Sequence, residues 1–244
     1  MIEFDDTFPL SDPLKVDGNY IPAYQVIKTL ASTLTPLRRQ KIAKVVKERN
    51  FNVTIILEEL SDPGNMAAIM RSAEAFGFPS IHIIPNLNKK NTEKKKRFTN
   101  RVSQGAEKWL LIHEWSQIEL CIEKLRSKGF LIAGTSFSTN SISISEMNFD
   151  NPIAIAFGNE FNGISPILLD SSDFLFNIPM FGFTRSFNVS VAAAITMSEI
   201  RNQLSYSSPN INSTQRRILT AHYYIKSNPR AGKILKNKTQ FDKS

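Results

Sequence analysis

I-P-M-F-G-F-T-R-S-F-N-V-S-V-A-A-A-I-T-M-S-E-I, residues 178–200, decides how the chain is read. An apolar run from Phe174 to Ile178 leads into a loop holding Pro179 and Gly182. A helix rich in small residues follows, with Ser186 and Asn188 at its mouth. Strand, glycine-containing loop and helix N-terminus make a ligand-binding junction in α/β proteins. The loop backbone can come close to a ligand, and the first helical N–H groups lack partners. Small side chains at Ser190, Ala192, Ala193 and Ala194 let another element pack close to that helix.

Working outward from this junction, short apolar and β-branched runs predict six buried strands. They span Val53 to Leu57, Ile81 to Ile84, Trp109 to Ile112, Phe130 to Ala133, Ile153 to Phe157 and Phe174 to Ile178. Helical patterns fall between them, over about 65–76, closed by Gly77, and about 116–127, closed by Gly129. The alternation predicts an α/β fold with a mostly parallel six-stranded sheet and helices on both faces. Ligands of such sheets bind at the carboxyl ends of the strands. The loops after the first, fourth, fifth and sixth strands carry Gly, Asn, Ser or Thr, so they are the candidate site. Before the first strand, residues 1–20 read as an irregular lead-in. A helix over about 22–34 follows, then a second that begins with Thr35 as N-cap and Pro36 at its first position. After the junction a helix over about 213–226 precedes a basic tail that reads as disordered. The organisation is therefore an N-terminal extension with a basic flanking helix (1–50), a catalytic domain (51–205), and a C-terminal helix with a basic tail (206–244).

The 244 residues carry a formal net charge of +8, and the pI is about 9.6. The charge is blocked. Arg38, Arg39, Lys41, Lys44, Lys47 and Arg49 fall within 35–50, and a Lys-rich loop reads over 86–101. Eight more basic residues follow from Arg216 onward, whereas 141–184 holds no Lys or Arg and five acids. Separate basic blocks suit a polyanion such as nucleic acid, and equally a solvated surface. On the first reading, charge reversal at Lys94, Lys95 and Lys96 weakens RNA binding without changing cofactor affinity. No run approaches the ~18 uninterrupted apolar residues of a membrane span, and the acidic N-terminus lacks the layout of a signal peptide. A single cysteine, Cys121, within a helical pattern reads as a core residue, which fits a reducing cytoplasm. One Cys and three scattered His give no zinc-ligand spacing, so no metal is expected.

Three polar clusters remain. S-D-P-G-N-M-A-A-I-M-R (61–71) places Asn65 at a helix start and Arg71 among apolar residues on a helix expected to be buried. A buried Arg needs a carboxylate or phosphate, either an internal Glu74 or Glu160 or a ligand. F-G-N-E-F-N-G-I-S (157–165) holds Glu160 inside a tight glycine loop, as a functional carboxylate or a cap that stiffens the loop. In the opening stretch, Ser186 and Asn188 either meet a ligand or cap the helix.

Together, in this order and each after a strand, D-P-G-N-x-x-x-x-x-R, F-G-N-E-x-x-G-I-S and I-P-M-x-G-x-x-x-S-F-N-V-S-V-A-A-A resemble the three motifs of the SpoU (TrmH-type) RNA 2′-O-methyltransferases of the SPOUT superfamily. The resemblance covers about 35–205. It implies a deep C-terminal trefoil knot, an exception to the rule that chains avoid knots, a homodimer, and S-adenosylmethionine as methyl donor. By position it implies Asn65, Arg71, Glu160, Ser186 and Asn188 as catalytic residues, with Arg71 central. Thr135, Gly158, Ile178 and Phe187 fall where the family contacts the cofactor, mainly through backbone. Phe187 departs from the usual Leu. The resemblance leaves Arg71 either as a base together with a phosphate or as a phosphate clamp beside the 2′-oxygen; a guanidinium gives up its proton reluctantly, which favours the clamp. The helices outside the core resemble those flanking the tRNA guanosine-18 2′-O-methyltransferases, making tRNA the expected partner, with rRNA as the alternative. An RNA-binding protein without catalysis is the reading from another class; loss of Arg71, Asn188 or the cofactor loops would favour it, and all are present.

Overall fold

The computed structural model of the chain describes residues 7–85, 103–204 and 211–241. Residues 1–6, the Lys-rich 86–101 segment with Val102, residues 205–210 and the last three residues lie outside the described residues. The chain divides into two compact units, Met1–Thr7 with Phe51–Ser208, and Phe8–Asn50 with Pro209–Ser244.

The first unit is built on a parallel sheet. Its strands are β3 (Val53–Glu58), β4 (Ser80–Ile84), β5 (Leu111–Glu114), β6 (Leu131–Thr135), β7 (Ile142–Ser143), β8 (Ile153–Phe157) and β9 (Phe174–Asn177), in spatial order β5-β4-β3-β8-β6-β9-β7. All six pairings are parallel. The six expected strands form, but the sheet has seven: the two residues of β7 add an edge against β9. Trp109 falls in a 3-10 turn, Ala106–Trp109, before β5 rather than in the strand.

Side chains of the central strands alternate between two cores, because successive Cβ atoms point to opposite faces. Ile55, Leu57, Ile153 and Ile155 pack on one face with α3 (Pro63–Phe76) and α6 (Val189–Gln203). Ile56, Ala154 and Ala156 pack on the other with α4 (Ile118–Ser127) and Leu168 of α5 (Pro166–Asp170). Every residue of β3, β4 and β8 is buried, the pattern of a sheet covered on both faces. Cys121 lies in the second core, where burial pushes its thiol up to about 12 and keeps it protonated.

The second unit joins the two ends of the chain. A hairpin of β1 (Leu14–Val16) and β2 (Asn19–Ile21) turns at Asp17 and Gly18, both with positive φ. The expected irregular lead-in is thus partly a hairpin. Helices α1 (Ala23–Leu30), α2 (Pro36–Glu48), α7 (Ser213–Ser227) and α8 (Ala231–Phe241) follow. Helix α1 packs on α7 and α8, and α2 packs on α7. Thr35 accepts from the Arg38 N–H at 3.2 Å and Pro36 opens α2, as the sequence predicts. The tail expected to be disordered is helical over Ala231–Phe241, with Ala231 and Leu235 buried one turn apart. Arg49, counted with the basic surface, is instead buried. Its Nε donates to Tyr223 Oη at 2.9 Å and its guanidinium lies 5.7 Å from the ring centroid.

Candidate active site

Because β3, β8, β6 and β9 are neighbours and run parallel, their carboxyl ends bring their loops to one edge of the sheet. The β8–α5 loop is the tightest. A Cβ on Gly158 would collide with the backbone of Gly163 and Ile164. Asn159 and Gly163 exchange two backbone hydrogen bonds of 2.9 Å, and Gly163 takes a φ of 69°. The Asn159 side chain accepts from the N–H groups of Phe161 (2.9 Å) and Asn162 (3.3 Å), and its Nδ2 donates to Glu59 O (2.8 Å) and Ser61 Oγ (2.9 Å). Buried Glu58 accepts from Ser165 N–H at 2.7 Å, fixing the far end of the loop. Neither Asn159 nor Glu58 was singled out from the sequence. Asn159 is visible inside the glycine loop, but the clamp joins residues about one hundred positions apart.

This clamp aims Glu160 at the start of α3. Its carboxylate accepts from Ser61 N–H (2.9 Å), Asp62 N–H (3.2 Å) and Asn65 Nδ2 (3.1 Å). Burial pushes its pKa up. The hydrogen bonds from Ser61, Asn65, its own N–H and Asp62 outweigh that and hold it below the ordinary glutamate value. Asn65 Oδ1 accepts from Asn188 Nδ2 at 3.0 Å. Asn188 Oδ1 in turn accepts from Ser190 N–H (2.8 Å) and Ser190 Oγ (2.6 Å), capping α6. One residue from each sequence cluster thus joins a single relay, Glu160–Asn65–Asn188. The cap posed for Asn188 is present, and the same amide also donates to Asn65. The structure corrects the placing of Asn65: Asp62 caps α3 through Gly64 N–H (2.8 Å), Pro63 opens the helix, and Asn65 is its third residue.

Beside the relay lies a cavity of about 620 Å³, within the usual size of small-molecule sites. Thr135, Gly158, Ile178 and Phe187 all line it, together with Glu160, Ser186 and Asn188. The Thr135 hydroxyl donates to Ala156 O at 3.0 Å, so the side chain is tied to the sheet. Ser186 is exposed at the rim.

Arg71 does not stand where the sequence put it. Met70, Ile69 and Ala73 are buried, while Arg71 is exposed on the opposite side of α3. Its side chain makes no ion pair or hydrogen bond with Glu74, Glu160 or any other described residue. Among the described residues no group of three His, Cys, Asp or Glu could hold a metal, and no helix is long and apolar enough to cross a membrane.

A family model for the SpoU rRNA methylase family matches residues 52–198, which hold the relay, the cavity lining and Arg71. The chain belongs to the SpoU methylase family. Among similar SpoU-type proteins, the tRNA (guanosine(18)-2′-O)-methyltransferase of Borreliella burgdorferi is 32% identical over 202 residues, covering 81% of this chain and 89% of that protein. The enzyme of the same name from Thermus thermophilus is 30% identical over 169 residues, 69% of this chain and 84% of its own. The crystal structure of the Aquifex aeolicus TrmH/SpoU tRNA modifying enzyme shares the fold at a TM-score of 0.71 and 24% identity, covering 78% of this chain and 96% of that one. An AdoMet-bound rRNA methyltransferase from Sinorhizobium meliloti shares it at a TM-score of 0.57 and 24% identity, over 67% of this chain and 60% of that one.

Proposed function

We propose that this SpoU-family protein methylates a ribose 2′-hydroxyl of RNA with S-adenosylmethionine, its target being guanosine 18 in the D-loop of tRNA. The observation that carries the reading is the Glu160–Asn65–Asn188 relay on the rim of a cavity that all four expected cofactor positions line. The relatives named for guanosine 18 support the tRNA target.

The cavity fits the donor. Its walls mix aromatic and aliphatic side chains with strand-end backbone, which suits a nucleoside joined to an amino acid. Thr135, Gly158, Ile178 and Phe187 would hold it. Bound there, S-adenosylmethionine supplies a methyl group already activated on a sulfonium. The chain's own task is alignment and charge. The relay fixes the Asn65 and Asn188 amides, and the Ser186 hydroxyl stands at the rim to position the ribose. Exposed Arg71 grips the phosphate next to that ribose and places positive charge beside the 2′-oxygen as it becomes an alkoxide. Residues 51–205 are the catalytic domain, and the basic segments flanking them hold the RNA.

Two finer features belong to the same reading. The C-terminal part of the catalytic domain forms a deep trefoil knot. In its support, β9 lies between β6 and β7, while α6, which follows it, packs on α3. Residues 178–188 must therefore cross the strand ends, and an experimental structure traced without a threaded chain would remove the knot. The protein also works as a homodimer in the cytoplasm. Phe181 and Phe183, 98% and 109% exposed, stand in the stretch that lacks Lys and Arg, an apolar surface suited to a second copy.

The deciding experiment incubates the protein with S-adenosylmethionine and either total tRNA or rRNA, then analyses nucleosides by mass spectrometry. The expected product is 2′-O-methylguanosine in tRNA. The product in rRNA alone would move the target within the family, and none in either would defeat the enzyme reading.

A further inference from the structure

The hairpin and α1 carry an exposed face that methyl transfer does not use, outside the residues matched to the family. In the hairpin Leu14, Val16 and Ile21 are buried, whereas Lys15 and Tyr20 stand directly opposite each other on the outer face. In α1 the residues Ala23, Val26, Thr29 and Leu30 are buried. Tyr24 and Lys28, one turn apart, occupy the opposite side. Tyr20 is 67% and Tyr24 62% exposed. No large aliphatic side chain is exposed between residues 8 and 30.

Both acids of this segment are engaged elsewhere. Asp12 Oδ1 accepts from Ala23 N–H at 2.8 Å, at the start of α1. The Asp17 carboxylate fills the space a Cβ would take on Gly232, in the first turn of α8, where unpaired N–H groups favour an anion. Arg230 and Lys233, both exposed, flank that glycine in sequence. The segment thus presents two outward tyrosines with Lys15 opposite one and Lys28 a turn from the other, and its acids are turned to other partners. A protein partner is served best by an apolar patch that can be desolvated; exposed rings with lysines beside them suit stacked bases and their phosphates.

We propose that this face, Tyr20 and Tyr24 with Lys15, Lys28, Arg230 and Lys233, binds an unpaired stretch of RNA, the bases stacking on the two rings and the phosphates meeting the cations. The inference rests on RNA being the substrate class. It gives the chain a second grip on RNA within the helical unit, separate from the catalytic residues.

The test measures binding of an unmodified, fluorescein-labelled tRNA transcript to the full-length protein by anisotropy. Wild type is compared with the Tyr20→Ala/Tyr24→Ala and Tyr20→Phe/Tyr24→Phe pairs. The alanine pair should bind about ten-fold or more weakly, the phenylalanine pair, which keeps the rings, like wild type, and both should methylate normally at saturating RNA. Wild-type Kd in the alanine pair overturns the inference. So does weakened binding accompanied by a fall in sedimentation mass, which would give the face to a second copy of the chain. Wild-type protein that binds the transcript with this pattern yet methylates no RNA would uphold the face and defeat the enzyme reading, so the two failures are distinct.

Discussion

Arg71, Asn188 and Glu160 each carry a separable claim. Arg71 is exposed and free of partners among the described residues, as a group kept for substrate must be. Arg71→Lys keeps the charge and loses the planar fork. Its kcat should fall on the order of 100-fold or more in a methyl-transfer assay, and near-normal turnover would remove the need for a guanidinium. Asn188 both caps α6 and donates to Asn65. Asn188→Ala should cost about 1 kcal/mol in chemical denaturation, the usual worth of a cap. Asn188→Ser can still cap but cannot span to Asn65, so it should keep most of that stability and lose activity. Equal loss of both in the two variants would reduce Asn188 to a cap. For Glu160 the sign follows from its lowered pKa: the charged form is favoured in the fold, so the stabilisation is present above the unfolded glutamate value of about 4.3. It is lost as pH falls through the lower folded value. The stability gap between wild type and Glu160→Gln should therefore be constant near neutrality and close below about pH 4. A gap that widens in acid would contradict the hydrogen-bonded carboxylate.

At the level of elements, the β8–α5 loop depends on a missing side chain. Gly158→Ala forces a methyl into the Gly163 and Ile164 backbone, and should destabilise by about 1–3 kcal/mol. It should also weaken S-adenosylmethionine binding in calorimetry; unchanged affinity would show that the loop can shift without deforming the cavity. Six strands were legible because each is a β-branched or apolar run bounded by turn residues. β7 was not, since two residues carry no periodicity. The hairpin was missed although Asp17-Gly18 is a turn signal, because its strands of three residues are too short to show alternation. Helix α8 was hidden by its lysines, with only Ala231 and Leu235 marking a buried side. Arg71 is exposed although its sequence neighbours are mostly apolar. The 3.6-residue period already sets Ile69, Met70 and Ala73 on one side and Arg71 on the other. The three relay residues all lie in the motifs, but no spacing rule could join Asn65 to Glu160 and Asn188 across 95 and 123 positions.

On the scale of the molecule, the proposed chemistry and the proposed grip on RNA fall in different units. The sheet unit holds the relay and cavity, while the helical unit carries exposed Arg39, Lys41, Lys44 and Arg217. RNA affinity should fall steeply with salt while cofactor affinity does not. If Phe181 and Phe183 lie in a subunit interface, sedimentation should give about twice 27.5 kDa. Phe181→Ser/Phe183→Ser should shift that mass toward the monomer; an unchanged mass would place the interface elsewhere. The central claim is that the acceptor is one ribose hydroxyl. It is tested most directly by labelled methyl transfer from S-adenosylmethionine to two tRNA transcripts that differ only by a 2′-deoxy sugar at guanosine 18. Label in the ribose transcript and none in the deoxy transcript is the predicted result, and equal label in both would contradict it.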